Sequence, residues 1–331
     1  LLNVAEQQIF NFLLKSDKQL VFGQGNDFLA INPTGFTRKV VVKVPIAEKQ
    51  GKFISGATIF KRKGTEFIPA QFIKGDKEVD EPIMKEADRI EFNYEFQPFE
   101  VVFGKFNNDK CESNSWIVVE ESKDHIKIHN GDSHCIINRH TGHIDSFIWK
   151  DMALLKERSF ALKAFADMAG VWEIQRDYRD WEFDWEIKSP PKVKESNEIR
   201  TVIEYQTTFE DGESVFTQQL IFYSGDPGIE IKTLVDWIDP QVLIKMGYSL
   251  AINCDVSIAE ISGAVISRRV NPQASHDVSR WENSCQTFVD MPSKDEKWGV
   301  AFLNDGKYGY STHNGDFELT LLRQAHSPKI A

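Results

Sequence analysis

Residues 298–323 read WGVAFLNDGKYGYSTHNGDFELTLLR, a period-2 alternation cut by glycine turns that leaves little room for anything but β-structure. The opening apolar run has the length of one strand. Asn304-Asp305-Gly306 follows it, and Gly306 can take the positive φ that a tight hairpin needs. Tyr308, Tyr310 and Thr312 alternate next, and His313-Asn314-Gly315-Asp316 turns the chain again. Phe317, Leu319 and Leu321 then lead into Leu322 and Arg323. The expectation is a β-meander with one face buried.

Upstream the same pattern repeats. Val40, Val42 and Val44 alternate and stop at Pro45, and further strands are expected over 53–60, 67–72 and 89–96. In the last of these Ile90, Phe92, Tyr94 and Phe96 share a face, while Gly51, Gly64 and Gly75 mark turns. Short strands at this spacing imply a small immunoglobulin-like β-sandwich over 26–106. Beyond the polar joint at Asn107-Asn108-Asp109-Lys110, residues 107–331 form a second, larger β-region. Residues 1–25 differ: Leu2, Ala5, Ile9, Phe12 and Leu13 fall near helical spacing, which reads as a short helical tail. Residues 152–168 are rich in Ala, Leu and Lys and read as helix by propensity alone.

The chain has 331 residues, enough for two or three domains. Its formal charge of −11 argues against a nucleic-acid or anionic-membrane partner, either of which favours a basic face. No apolar run approaches the roughly 20 residues of a membrane span. Cys111, Cys135, Cys254 and Cys285 lack close spacing and read as reduced thiols of a cytoplasmic protein. Leu1 opens the chain where a methionine would be expected, which suggests a cut within a longer polypeptide.

Few residues point to chemistry. Trp181, Phe183 and Trp185 would share one strand face, with Glu182, Asp184 and Glu186 on the other. Glycosidases need two carboxyls flanking the scissile bond, and acids on one strand face point the same way, so this reads as a solvated face. Ser275, His276 and Asp277 are consecutive and cannot form a hydrogen-bonded triad. His125/His129 and His140/His143 have ligand-like spacing but no Cys or carboxylate at metal-site spacing. No catalytic residue and no metal ligand is assigned.

A family resemblance adds to this. Gly299-Val300-Ala301, Leu303-Asn304-Asp305, Lys307-Tyr308-Gly309-Tyr310 and Leu319 to Arg323 resemble a segment of the glycoside hydrolase family 38 α-mannosidases. Asn32-Pro33-Thr34-Gly35-Phe36-Thr37-Arg38 resembles the entry to that family's first β-domain, and Val235-Asp236-Trp237 with Lys245 fits a further motif. So do Gly142-His143-Ile144-Asp145-Ser146-Phe147 and Ser214, Gln218 and Tyr223. The resemblance implies a large galactose mutarotase-like β-supersandwich over 107–331, truncated at its C-terminus, with extended chain over 152–168. It implies a parent enzyme whose N-terminal barrel, absent here, holds zinc and the catalytic carboxylates, with no zinc ligand on this chain. Trp172, Glu173, Ile174 and Tyr178 match a family loop, with Glu173 replacing an aspartate; Trp172 and Tyr178 are expected either to face a sugar or to pack the interface with the catalytic domain. Arg268 matches the first position of a second loop, whose following Pro-Thr-His is replaced by Arg269-Val270-Asn271; Arg268 is expected either to bind sugar hydroxyls or to form a structural ion pair with a carboxylate. The implied partners are an α-mannoside or oligosaccharide and the protein's own catalytic domain, and a homo-oligomer is compatible with the sequence. A free-standing carbohydrate-binding protein and a mutarotase-like epimerase stay open as alternatives.

Overall fold

The computed structural model describes residues 27–46, 54–61, 64–75, 88–109, 117–271, 273–313 and 315–325. The helical tail expected over 1–25, Gly51 and Cys111 lie outside them. The chain divides into two compact units between Ser115 and Trp116.

The first unit pairs two antiparallel sheets. One orders its strands as Asp27–Ile31, Val101–Asn107, Gly56–Lys61 and Gly64–Pro69. The other runs Arg38–Pro45, Arg89–Phe96 and Gln71–Ile73. As the alternation predicts, Ile90, Phe92, Tyr94 and Phe96 are all buried. Phe28 from the first sheet meets Phe92 from the second at 5.0 Å between ring centroids and stacks on Phe106 at 4.5 Å. Gly104 permits this packing: a Cβ there would stand 2.2 Å from the Phe28 ring. Asn32 is buried and holds the entry loop, donating to the carbonyls of Phe36 and Gln97 at 2.9 and 2.8 Å. Its Oδ1 accepts from the Thr34 hydroxyl.

The second unit contains four antiparallel sheets. A five-stranded meander runs through Ile117–Glu121, His125–Asn130, Ser133–Asn138, Ile144–Trp149 and Met152–Leu155. A six-stranded sheet orders Glu182–Phe183, Ala161–Ala166, Val242–Tyr248, Asp316–Arg323, Gly309–His313 and Asn283–Ser284. Two four-stranded sheets complete it. One is Trp185–Ser196, Arg200–Phe209, Val215–Tyr223 and Glu230–Asp236; the other is Ala264–Arg269, Val256–Ile261, Phe288–Pro292 and Gly299–Leu303. Pro190 and Pro191 lie in Trp185–Ser196, an edge strand, where a missing N–H costs no ladder bond. Ile126, Phe160, Tyr205, Phe216, Ile244 and Phe317 belong to one continuous core, and each fully buried ring contributes roughly 2–3 kcal/mol through water exclusion. The architecture is mainly β, as expected.

Residues 152–168 form two strands, Met152–Leu155 and Ala161–Ala166, joined by a turn in which Arg158 and Phe160 have positive φ. Tertiary pairing overrides helix propensity there. Two local expectations are corrected. Gly306 has φ of +81°, as the turn requires, yet Asn304-Asp305-Gly306 does not close a hairpin. Its flanking strands belong to different sheets, because the turn bonds outward: Asn304 N–H donates to Thr287 O at 2.8 Å, and Cys285 N–H to Tyr308 O at 3.0 Å. Phe302 and Phe317 then stack across the two sheets, 4.0 Å between centroids. The segment 181–186 is not one strand either. Glu182–Phe183 pairs with Ala161–Ala166, and Trp185 opens the next sheet. Phe183 and Trp185 nonetheless both pack on Phe209, at 5.6 and 5.7 Å.

Candidate sugar-facing site and arginine cleft

Three neighbouring strands of the six-stranded sheet carry charges that converge: the partly buried Lys163 and the fully buried Lys245 and Glu318. The register sets Lys163 directly opposite Lys245. Lys245 is 0% exposed, so its charge persists only with close partners. It contacts Glu282, donates to Ser311 Oγ at 2.7 Å, and stands 3.9 Å from Glu318. Glu318 accepts from Lys163 at 2.7 Å and takes a two-pronged contact from Arg179, at 2.9 and 2.7 Å. Three cations thus face Glu282 and Glu318, and the Glu182 carboxylate lies close enough to Lys163 and Arg179 to feel both charges. Burial opposes ionisation of Glu318, yet Arg179, Lys163 and Lys245 hold its carboxyl down at about 2. Burial pulls the Lys245 pKa below its ordinary value, against Glu282 and Glu318.

Tyr178 joins this network from the short 3₁₀ turn Tyr178–Asp180. Its ring is 2% exposed and meets Phe165 edge-on at 5.0 Å. Its hydroxyl donates to Glu282 at 2.6 Å, and burial followed by the Glu282 charge pushes its pKa up. Tyr178 therefore does not present its ring to an outside sugar. It packs behind the surface and orients Glu282.

Trp172 has the opposite environment, at 89% exposure. Its loop is tied down from below by Arg323. That guanidinium pairs with Asp167 at 2.6 and 3.2 Å and donates to the carbonyls of Gly170 (2.9 Å), Val171 (3.4 Å) and Glu173. Two residues on, Ile174 O accepts from Trp281 Nε1 at 3.2 Å. The fixed loop is thus stitched to the segment carrying Glu282.

Arg268 lies at the end of Ala264–Arg269, half-buried, and donates to Ser284 O at 3.1 Å and to the Tyr310 hydroxyl at 3.0 Å. It lines a cleft of about 400 Å³ together with Arg176, Arg179, Arg269, Arg280 and His313. Trp281, Asn283 and Thr312 form part of the same wall, and among the described residues no Asp or Glu lines it. Burial, then the nearby Arg179 charge, lowers the His313 pKa. Arg268 and Trp281 therefore share one cleft, whereas Trp172 stands on the adjoining loop. The sequence assigns no role to Lys163 and Glu318 and places Lys245 and Arg323 only within matching motifs, although a lone charge inside an apolar strand, as at Lys163 and Lys245, is a legible signal.

The histidines pair otherwise than by sequence spacing. His129 meets His134 across a strand pair at 2.8 Å between Nδ1 atoms, and His125 meets Asp145 at 3.2 Å. Among the described residues, no three His, Cys, Asp or Glu side chains come together as a metal-holding group. Cys135, Cys254 and Cys285 are buried and free of disulfides.

Comparison with known proteins gives this geometry a context. Residues 128–330 match the glycosyl hydrolases family 38 C-terminal domain. Alpha-mannosidase G of Dictyostelium discoideum is 29% identical over 140 residues, 41% of this chain and 13% of that protein. Alpha-mannosidase of Saccharomyces cerevisiae is 31% identical over 101 residues, 30% of this chain and 9% of that protein. The chain therefore spans only a small part of these relatives. An alpha-mannosidase from Enterococcus faecalis V583 superposes with a TM-score of 0.65 at 13% identity, covering 92% of this chain and 40% of that one; at that identity the likeness is one of fold. The chain belongs to glycosyl hydrolase family 38 and carries that family's C-terminal domain.

Proposed function

We propose that this chain is the non-catalytic β-region of a zinc-dependent retaining α-mannosidase, packed against a catalytic barrel and helping to close its mannoside site. One observation carries the proposal: Trp172, a large apolar ring left 89% exposed on a loop that Arg323 holds at three carbonyls. An exposed indole on a pinned loop suits a partner surface or the apolar face of a pyranose. Arg268 adds a fixed fork of donors for sugar hydroxyls, and Tyr178 supports the site from behind through Glu282.

The chemistry would lie elsewhere in the polypeptide. Zinc there would supply Lewis-acid grip on sugar oxygens, and no residue of this chain is assigned to it. What this region adds is orientation and water exclusion, each of which lowers the barrier without touching the reacting atoms. The buried free thiols suit a cytoplasmic setting. The test pairs the 331-residue chain with the full-length protein in hydrolysis of an aryl α-mannoside. The full-length protein should turn it over and the chain alone should not. Turnover by the chain alone would overturn the proposal.

A further inference from the structure

The arginine cleft holds more positive charge than a neutral sugar uses. On a chain of net charge −11, five arginines line one concavity of about 400 Å³, with no acid lining it among the described residues. Their states differ. Arg179 is neutralised by Glu318, and Arg268 is fixed by two neutral oxygens. For Arg176, Arg269 and Arg280, no carboxylate among the described residues lies within ion-pair distance. Crowding like charges costs free energy that a bound anion returns.

We propose that this cleft binds a saccharide carrying a phosphate group. The inference rests on the α-mannosidase reading for the sugar and on the cleft's own geometry for the anion. A carboxylate offers two oxygens, which a single guanidinium fork satisfies. A phosphate offers three oxygens and a charge of about −1.5 to −2, which several guanidiniums can share. Arg268 is the fixed fork, and Arg176, Arg269 and Arg280 form the adaptable rim. The half-buried Trp281, anchored through Nε1 to Ile174 O, offers an apolar wall to the sugar ring. Asn283 and Thr312 supply neutral hydrogen-bonding groups for its hydroxyls. Guanidinium forks fix orientation as well as charge, so the phosphate would set the direction in which the sugar lies.

The test is calorimetric titration of the 331-residue chain with mannose 6-phosphate, mannose, mannuronate and inorganic phosphate, at low and high salt. Mannose 6-phosphate should bind at least about tenfold more tightly than mannose, and lose affinity as salt rises. It should also bind more tightly than inorganic phosphate, which lacks the face Trp281 would cover, and more tightly than mannuronate. Arg269→Gln/Arg280→Gln should remove most of that preference, and Arg269→Lys/Arg280→Lys should keep part of it. Unchanged thermal unfolding of each variant shows that the fold is intact. Equal affinity for mannose and mannose 6-phosphate, a preference for mannuronate, or undiminished binding by the Gln pair would overturn the proposal. Hydrolysis of a neutral aryl mannoside by the full-length protein reports the site-closing role separately, so failure of either reading is visible without the other.

Discussion

Arg323 and Asp167, 156 residues apart in sequence, form a two-pronged ion pair at 2.6 and 3.2 Å beneath the loop that carries Trp172. Asp167 is itself buried, so the pair is both an anchor and an obligation. The strand Asp316–Arg323 thereby reaches out of the six-stranded sheet and fixes a surface loop.

Removing the guanidinium should expose that obligation. Arg323→Met leaves a buried carboxylate unpaired and frees three loop carbonyls, at a cost of about 3 kcal/mol. Arg323→Lys should cost less, because an ammonium keeps the charge but cannot reach Asp167 and the carbonyls at once. Urea denaturation gives the energies. Hydrogen exchange at residues 170–173 should accelerate in both variants, and unaltered exchange would mean the loop is held by something else.

The buried network makes a pH prediction. The Glu318 carboxyl has its pKa lowered in the fold, from an ordinary 4.5 to about 2. A depressed acid contributes stability that is complete above its unfolded value and is lost as pH falls through its folded value. The gap in melting temperature between wild type and Glu318→Gln should therefore be constant from pH 7 to about 5 and shrink between about 4.5 and 2. A gap that stays constant down to pH 2 would contradict the network as drawn.

Much of the fold was legible because alternating apolar residues mark a buried face, even where, as at Arg89 and Glu91, the intervening charges are buried too. Ile90, Phe92, Tyr94 and Phe96 alternate in sequence and all four are buried. The positive φ of Gly306 was legible for the same local reason, but the partners of its flanking segments were not, since Asn304 bonds to Thr287 and Tyr308 to Cys285, each about 20 residues away. Residues 152–168 show the converse, a helical propensity cancelled by neighbours on both sides of the strands. At the candidate site Trp172 and Arg268 are singled out through resemblance alone, and the burial of Tyr178 is not legible locally because it depends on the acid its hydroxyl meets. Glu282 lies 104 residues away from it. The lone charges Lys163 and Lys245 were readable as anomalies; their contact with Glu318 was not.

Gly306 offers a local test of the turn. Nothing lies within 4 Å of where its Cβ would be, so strain alone decides the cost of a side chain there. Gly306→Val should lose on the order of 1 kcal/mol or more from the φ of +81°. Chemical denaturation measures it, and a neutral substitution would mean the backbone relaxes to negative φ.

The most direct test of the account is kcat/KM for an aryl α-mannoside in the full-length protein carrying Trp172→Ala or Arg268→Gln, with bound zinc and thermal unfolding measured alongside. Trp172 makes no interior contact to lose, being 89% exposed, so its removal should leave unfolding and metal content unchanged. A site closed by these residues predicts that kcat/KM falls by about tenfold or more in each variant, the loss expected when orientation and water exclusion are impaired. Wild-type kcat/KM in both variants would contradict it and leave these residues with a packing role alone.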